Sequence, residues 1–399
     1  MGKKIINDLW GFDDVILAPN YVSSMGDEIS LATKATNNIP LALPIILDIP
    51  KLKDAHKAAI AIAKIGGIGV IPMTDDIGQQ VEEVRKVKRF TAYRIYNPIK
   101  VFAETIIAEA KDLMDTYGIS GIPVVEPGDK LVGLVTKKDM KKAKDVALAV
   151  STIMTPASEL ITGDENISPE DIKAAFEEHN IGKLPLVDMN GICRGLVTLR
   201  DIKNLSLYPD ATKDDQGRLR VGAMIEASDK GIEHVRALSD CELDMVIVDV
   251  NTGSIAEMIN VVKKIRSMRS TPIQVVGGNI STVDEARALL NAGADGIRVG
   301  ALKNDTLYGI GVPALSSLMS IVDEAKRASI PVISVGHGDI MSNYGKALAA
   351  GAEALAIGKL LDDKTMFDEA LNAIKAVMNR TGSSSLRDLR SNAQFIQKK

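Results

Sequence analysis

Several short stretches of this chain carry residues that could do chemistry. In "GHGD", His337 and Asp339 stand two apart in a loop, an acid and a base that could share a proton. Adjacent polar loop residues are also common without any such role. Gly336 and Gly338 belong to the same loop, and Gly358 leads into Lys359 in "IGKLL". Glycine loops of this kind can present backbone N–H groups to an anion, with a lysine beside them. A solvated lysine on a rim is the competing reading of Lys359. Asp249 stands last but one in "MVIVDV", and Asn279 closes "GGN". Thr136 and Asp139 lie in "GLVTKKD", and Thr198 and Asp201 in "GLVTLRD". At a helix start, such residues cap free N–H groups, while the same helix end also favours phosphate. The two cysteines, Cys193 and Cys241, are too few for a disulfide framework and read as packing residues.

These residues hang on a regular alternation. Apolar runs at 43–47, 68–72, 219–225, 245–250, 273–278, 296–300, 331–336 and 354–358 are separated by amphipathic helical patterns. Eight parallel β/α units predict an α/β fold, a (β/α)₈ TIM barrel. In "SIAEMINVVKKIRSM", Ile255, Met258, Ile259, Val262 and Ile265 share one face. Thr282 and Glu285 have the spacing of a capping box. Gly293 and Gly351 sit where helices must stop. Residues 365–382 read as the eighth helix, with Phe367, Leu371, Ile374 and Met378 in one stripe.

The gap between the second and third runs is too long for one unit, so residues 93–205 are read as an insert. It repeats itself. "YGISGIPVVEPGDKLVGLVTKKDM" (117–140) matches "HNIGKLPLVDMNGICRGLVTLRDI" (179–202), aligning Ile119 with Ile181, Pro123 with Pro185, Gly133 with Gly195 and Asp139 with Asp201 at a constant offset. The expected organisation is a discontinuous barrel, 1–92 and 206–399, with the repeat at about 93–150 and 151–205.

A formal charge of −4 and a pI near 5.8 argue against a general nucleic-acid binder. No apolar run is long enough to span a bilayer, and "MGKKIINDLWGFDD" holds no signal-peptide core. A cytoplasmic protein, without membrane or nucleic-acid partners, is the expectation.

The doubled "GLVTxxD" signature resembles a pair of CBS motifs, a Bateman module. The resemblance implies adenine nucleotides (ATP, ADP or AMP) as ligands, with Asp139 and Asp201 on ribose hydroxyls and Thr136 and Thr198 beside them. The rest of the chain resembles the inosine-5′-monophosphate dehydrogenase and GMP reductase family through "WGFDDVILAP" (10–19), "AKIGGIGVI" (63–71), "VEEVRKVKR" (81–89), "YPDATKDDQGRLRVGA" (208–223) and "SLRDLRSNAQFIQ" (385–397). That family implies a cysteine thiolate attacking C2 of a purine, hydride exchange with NAD(P), a mobile Arg-Tyr flap, an Asp on the ribose, and tetramers or CBS-joined octamers.

Departures from the pattern fall on the chemistry. After Val299-Gly300 the cysteine loop is replaced by "ALKNDTLY", in which Thr306 lies near the nucleophile's place, though an unactivated hydroxyl is a poor nucleophile. The same loop serves a monovalent cation in dehydrogenases. Val335 stands at the ribose Asp, and "DIPKL" (48–52) replaces the early substrate loop. Loss of a charge-assisted pair to the diol should cost roughly 1.5–3 kcal/mol. No segment is left for a flap. Asp249 and Asn279 are residual family positions, and Gly336, Gly338, Gly358 and Lys359 could still hold phosphate. Three readings follow. One is a catalytically degenerate member that binds purine nucleotides, assembles with itself, or joins an active paralogue. Another is a divergent NAD(P)-dependent oxidoreductase. The third is a different reaction built on His337, Asp339 and Asp249.

Overall fold

The computed structural model describes residues 9–398, apart from 21–28, 91–94, 97, 144, 200–207, 251–253, 269–271, 302–309, 337–340 and 359–363. The chain divides into two compact units. One comprises 1–90, 210–214 and 219–399, and the other 91–209 and 215–218.

The first unit is a closed barrel of eight parallel strands. In chain order they are β1 (Ile45–Asp48), β2 (Ile68–Ile71), β3 (Val221–Glu226), β4 (Met245–Asp249), β5 (Gln274–Ile280), β6 (Gly296–Val299), β7 (Val332–Val335) and β8 (Ala354–Ile357). The helices that follow them are α1 (Ala55–Lys64), α2 (Ile77–Arg89), α3 (Asp229–Ser239), α4 (Ile255–Ser267), α5 (Val283–Ala292), α6 (Ala314–Arg327), α7 (Met341–Ala349) and α8 (Lys364–Thr381). Each expected run carries its strand. The runs are continuously apolar because both faces are buried. Ile46, Val70, Met245, Ile247, Val276 and Ile333 fill the lumen. Their neighbours Ile45, Leu47, Val246, Val248, Val275 and Val332 pack outward against the helices. The hairpin Thr33–Thr36/Ile39–Leu41 sends Ala35, Ile39 and Leu41 into the lumen cluster and plugs it.

Local signals are realised where they were expected. Thr282 and Glu285 form the capping box of α5, which ends on Gly293 at φ 89°. Ser254 and Glu257, not singled out in the sequence, form another for α4. Phe367, Ile374 and Met378 are buried on α8, with Leu371 partly buried beside them. Cys193 and Cys241 are both buried, and burial pushes both thiols up.

The second unit holds two four-stranded sheets. The helix Ile107–Thr116 and strands Gly121–Val125 and Leu131–Thr136 recur as Pro169–His179, Lys183–Val187 and Cys193–Thr198. The copies meet at equivalent positions. Leu131 N–H donates to Gly191 O at 3.0 Å, and Cys193 N–H donates to Asp129 O at 2.8 Å. Such reciprocity between residues of constant offset places a local twofold at the two hairpin turns. The short strands Ile95–Tyr96 and Thr155–Pro156 cross over, each joining the other copy's sheet. Among the described residues no helix is long and apolar enough to cross a membrane.

Candidate functional site

Barrel sites form at the C-terminal ends of the strands. Two-residue alternation turns Asp48, Asp249, Arg298 and Val335 toward the lumen there, above Ile46, Ile247 and Ile333. Asp249 ends β4 and is buried, with Gly278 as its register partner on β5. Asn279 is therefore brought close to Asp249. It is half-buried at a register shift between Gly277 and Ile280.

Sequence reasoning assigned no role to the feature that dominates this layer. Arg298 of β6 reaches across the lumen and forks onto Asp48 of β1, with Nη1–Oδ1 at 3.2 Å and Nη2–Oδ2 at 2.5 Å. Arg298 is 4% exposed, and its buried Nε has no hydrogen-bond partner among the described residues. The guanidinium geometry matches a carboxylate bidentately, so this cation is already committed. The one available signal was an arginine inside the apolar run "GIRVG". Gly278 makes room for β6 here, since a Cβ on it would lie 2.4 Å from Arg298 O.

Val335 packs against the lumen cluster. Beside it, Ser281, Val299, Gly300, Ser317 and Ser334 help to enclose a cavity of about 10 Å³. That is space for roughly one water. Gly336 is exposed at φ 81°, and Gly358 is half-buried beside Asp48. Gly338, Lys359, His337, Asp339 and Thr306 lie outside the described residues. β6 ends at Val299 and α6 begins at Ala314, and the connection "GALKNDTLYGIGVP" contains no cysteine. Only "GKLLDD" separates β8 from α8.

A single model of the IMP dehydrogenase / GMP reductase domain matches residues 10–365. The chain belongs to the IMP dehydrogenase/GMP reductase family. It is 37% identical over 366 residues to an inosine-5′-monophosphate dehydrogenase of Aquifex aeolicus, covering 90% of this chain and 74% of that protein. A Chlorobaculum parvum inosine-5′-monophosphate dehydrogenase is 36% identical over 370 residues, with the same coverage of each. Among solved structures, the GMP reductase of Trypanosoma brucei in complex with guanosine 5′-triphosphate superposes with a TM-score of 0.88 at 26% identity. That match covers 99% of this chain and 98% of the other.

In the second unit, Thr136 is the N-cap of the short helix Lys137–Lys142. Its N–H and hydroxyl both donate to Asp139 Oδ2, at 3.0 and 2.6 Å. Asp139 N–H donates back to Thr136 Oγ1 at 3.4 Å. Asp139 thus acts as a cap, while its Oδ1 takes no hydrogen bond from the described residues and can accept a further donor. Thr198 ends the equivalent strand and is half-buried. Asp201 lies outside the described residues.

Proposed function

We propose that this family member binds purine nucleotides without the family's covalent chemistry, and that it works as a regulatory or assembly protein. The observation that carries the reading is the β6–α6 connection without a cysteine. Attack on a purine ring needs an activated nucleophile. The two thiols present are buried, one in β4's approach and one in the second unit. The lumen mouth also offers an ion pair and a valine where the resemblance implies nucleotide contacts. A second reading, a divergent NAD(P)-dependent oxidoreductase on a purine nucleotide, is favoured by the activities named for the relatives.

The second unit is the proposed sensor, a CBS pair over about 93–205. Thr136 with Asp139, and Thr198 with Asp201 at the matching offset in the sequence, would take the ribose and phosphates of ATP, ADP or AMP. The twofold at the hairpin turns supports two related sites. The trypanosomal GMP reductase, similar over nearly the whole chain, was solved with a nucleoside triphosphate, which fits a polyanion as ligand here. Homo-oligomers, and assembly with an active paralogue, are the proposed output. A ligand at a hundredfold excess over its Kd stabilises the fold by about 2.7 kcal/mol. Thermal unfolding should therefore show a raised midpoint with one or more of ATP, ADP, AMP and GTP. Asp139→Ala and Asp201→Ala together should abolish the rise. If no nucleotide at millimolar concentration shifts the midpoint, or the double variant responds like wild type, Thr136 and Asp139 are caps alone.

A further inference from the structure

A second cavity, of about 240 Å³, opens away from the lumen in the first unit. It is lined by Met73, Thr74 and Asp75 after β2, Glu226 at the end of β3, and Lys230, Gly231 and His234 of α3. None of them is among the residues singled out in the sequence.

His234 is 3% exposed, and its ring is held in one tautomer by Gln80. The Gln80 amide nitrogen donates to Pro72 O at 3.0 Å and Met224 O at 2.9 Å. Both amide protons are spent, so Gln80 Oε1 is the atom facing His234 Nδ1, at 3.0 Å. Oε1 can only accept, and Nδ1 therefore carries the proton. The neutral ring is left with a lone pair on Nε2, and this atom takes no hydrogen bond from the described residues. Burial, ahead of the charge of Lys230, holds the imidazole below its usual range and keeps it neutral.

Gly231 lets α3 come this close. A Cβ on it would lie 2.0 Å from Glu226 O, so another residue would push the helix, and His234 one turn along it, off the strand end. The lining of the cavity also offers acceptors. Glu226 takes the Ser228 hydroxyl at 3.0 Å, and its carboxylate also acts on the charges of Lys230 and His234. At the rim Lys230 is neutralised by Asp75 at 2.6 Å. Glu226, which has partners besides Ser228, and Asp75 both act on the Lys230 ammonium, and Met73 adds an exposed apolar wall. Among the described residues no group of three His, Cys, Asp or Glu could hold a metal ion.

We propose that this cavity binds a small ligand bearing a primary ammonium group. The ammonium donates to His234 Nε2 and to the Glu226 carboxylate, and a short alkyl part lies against Met73. The site stands independently of the reading given for nucleotides.

The probe is n-propylamine, compared with 1-propanol and propionate, on the full chain labelled with ¹⁵N-histidine. The chain has four histidines, and the His234→Gln variant assigns the signal. Propylamine should shift the His234 Nε2 resonance saturably, at a Kd of about 1 mM expected for a fragment-sized ligand. Propanol should bind at least about tenfold more weakly, and propionate not at all. Glu226→Gln should weaken amine binding by about tenfold. No saturable shift up to about 50 mM amine, or propionate binding as well as the amine, would overturn the proposal. The wild-type comparison decides this even if the Glu226 variant does not fold.

Discussion

Replacing Lys88 with Met should cost the fold about 3 kcal/mol in urea unfolding. Lys88, at the end of α2, is 5% exposed, and its Nζ lies 2.9 Å from both Asp214 and Asp244. Asp244 also accepts the Val221 N–H that opens β3, and Arg220 stands 3.5 Å away. The cluster ties α2, β3 and β4 together at the N-terminal end of the barrel, where side chains serve stability. Removal of the ammonium leaves buried carboxylate charge that Arg220 only partly offsets. The loss should depend on pH. Burial, against the pull of Lys88, holds the Asp244 carboxyl above its usual range. An acid whose pKa is raised by folding binds more protons in the native state, so stability falls as pH rises through its folded pKa. Without Lys88 that pKa rises further. The variant's deficit should therefore be smaller at about pH 5 than at about pH 7.5. An equal deficit at both would show that the ammonium packs rather than compensates charge.

Asp48→Ala should be nearly as costly, at about 3 kcal/mol, because it strands Arg298 in the lumen. The Asp48 side chain keeps 22% exposure, so the loss belongs at the lower end for a broken buried pair. The double variant Asp48→Leu/Arg298→Met removes both charges together. It should lose less than the single one, since apolar side chains of similar volume replace a buried pair well. Urea midpoints of the three proteins check this. A double variant worse than Asp48→Ala would mean that the pair specifies the barrel mouth beyond its charge balance.

The barrel was legible because strands buried on both faces read as unbroken apolar runs, and glycines such as Gly293 mark where helices must stop. The insert was legible because a constant offset needs no knowledge of contacts. What escaped were contacts that cross the fold. Asp48 and Arg298 sit on strands that are not neighbours, and no periodicity links them. Gln80 and His234 lie on two helices separated in sequence by the whole insert, and each alone reads as a surface residue of an amphipathic helix. The spacing of Thr136 and Asp139 alone fits a cap as well as a ligand contact, and its repetition at Thr198 and Asp201 tips the reading toward a ligand. The structure shows the capping bonds, and ligand binding rests on what Oδ1 can still accept.

On the proposed reading, this chain has the family's fold without its covalent chemistry. A steady-state absorbance assay at high protein concentration tests it, with inosine monophosphate and NAD, and with GMP and NADPH. No turnover of either pair is the predicted result. Turnover of either pair by the wild-type chain, retained after Cys193→Ala and Cys241→Ala, would contradict the account and place the chemistry on a group other than a thiol.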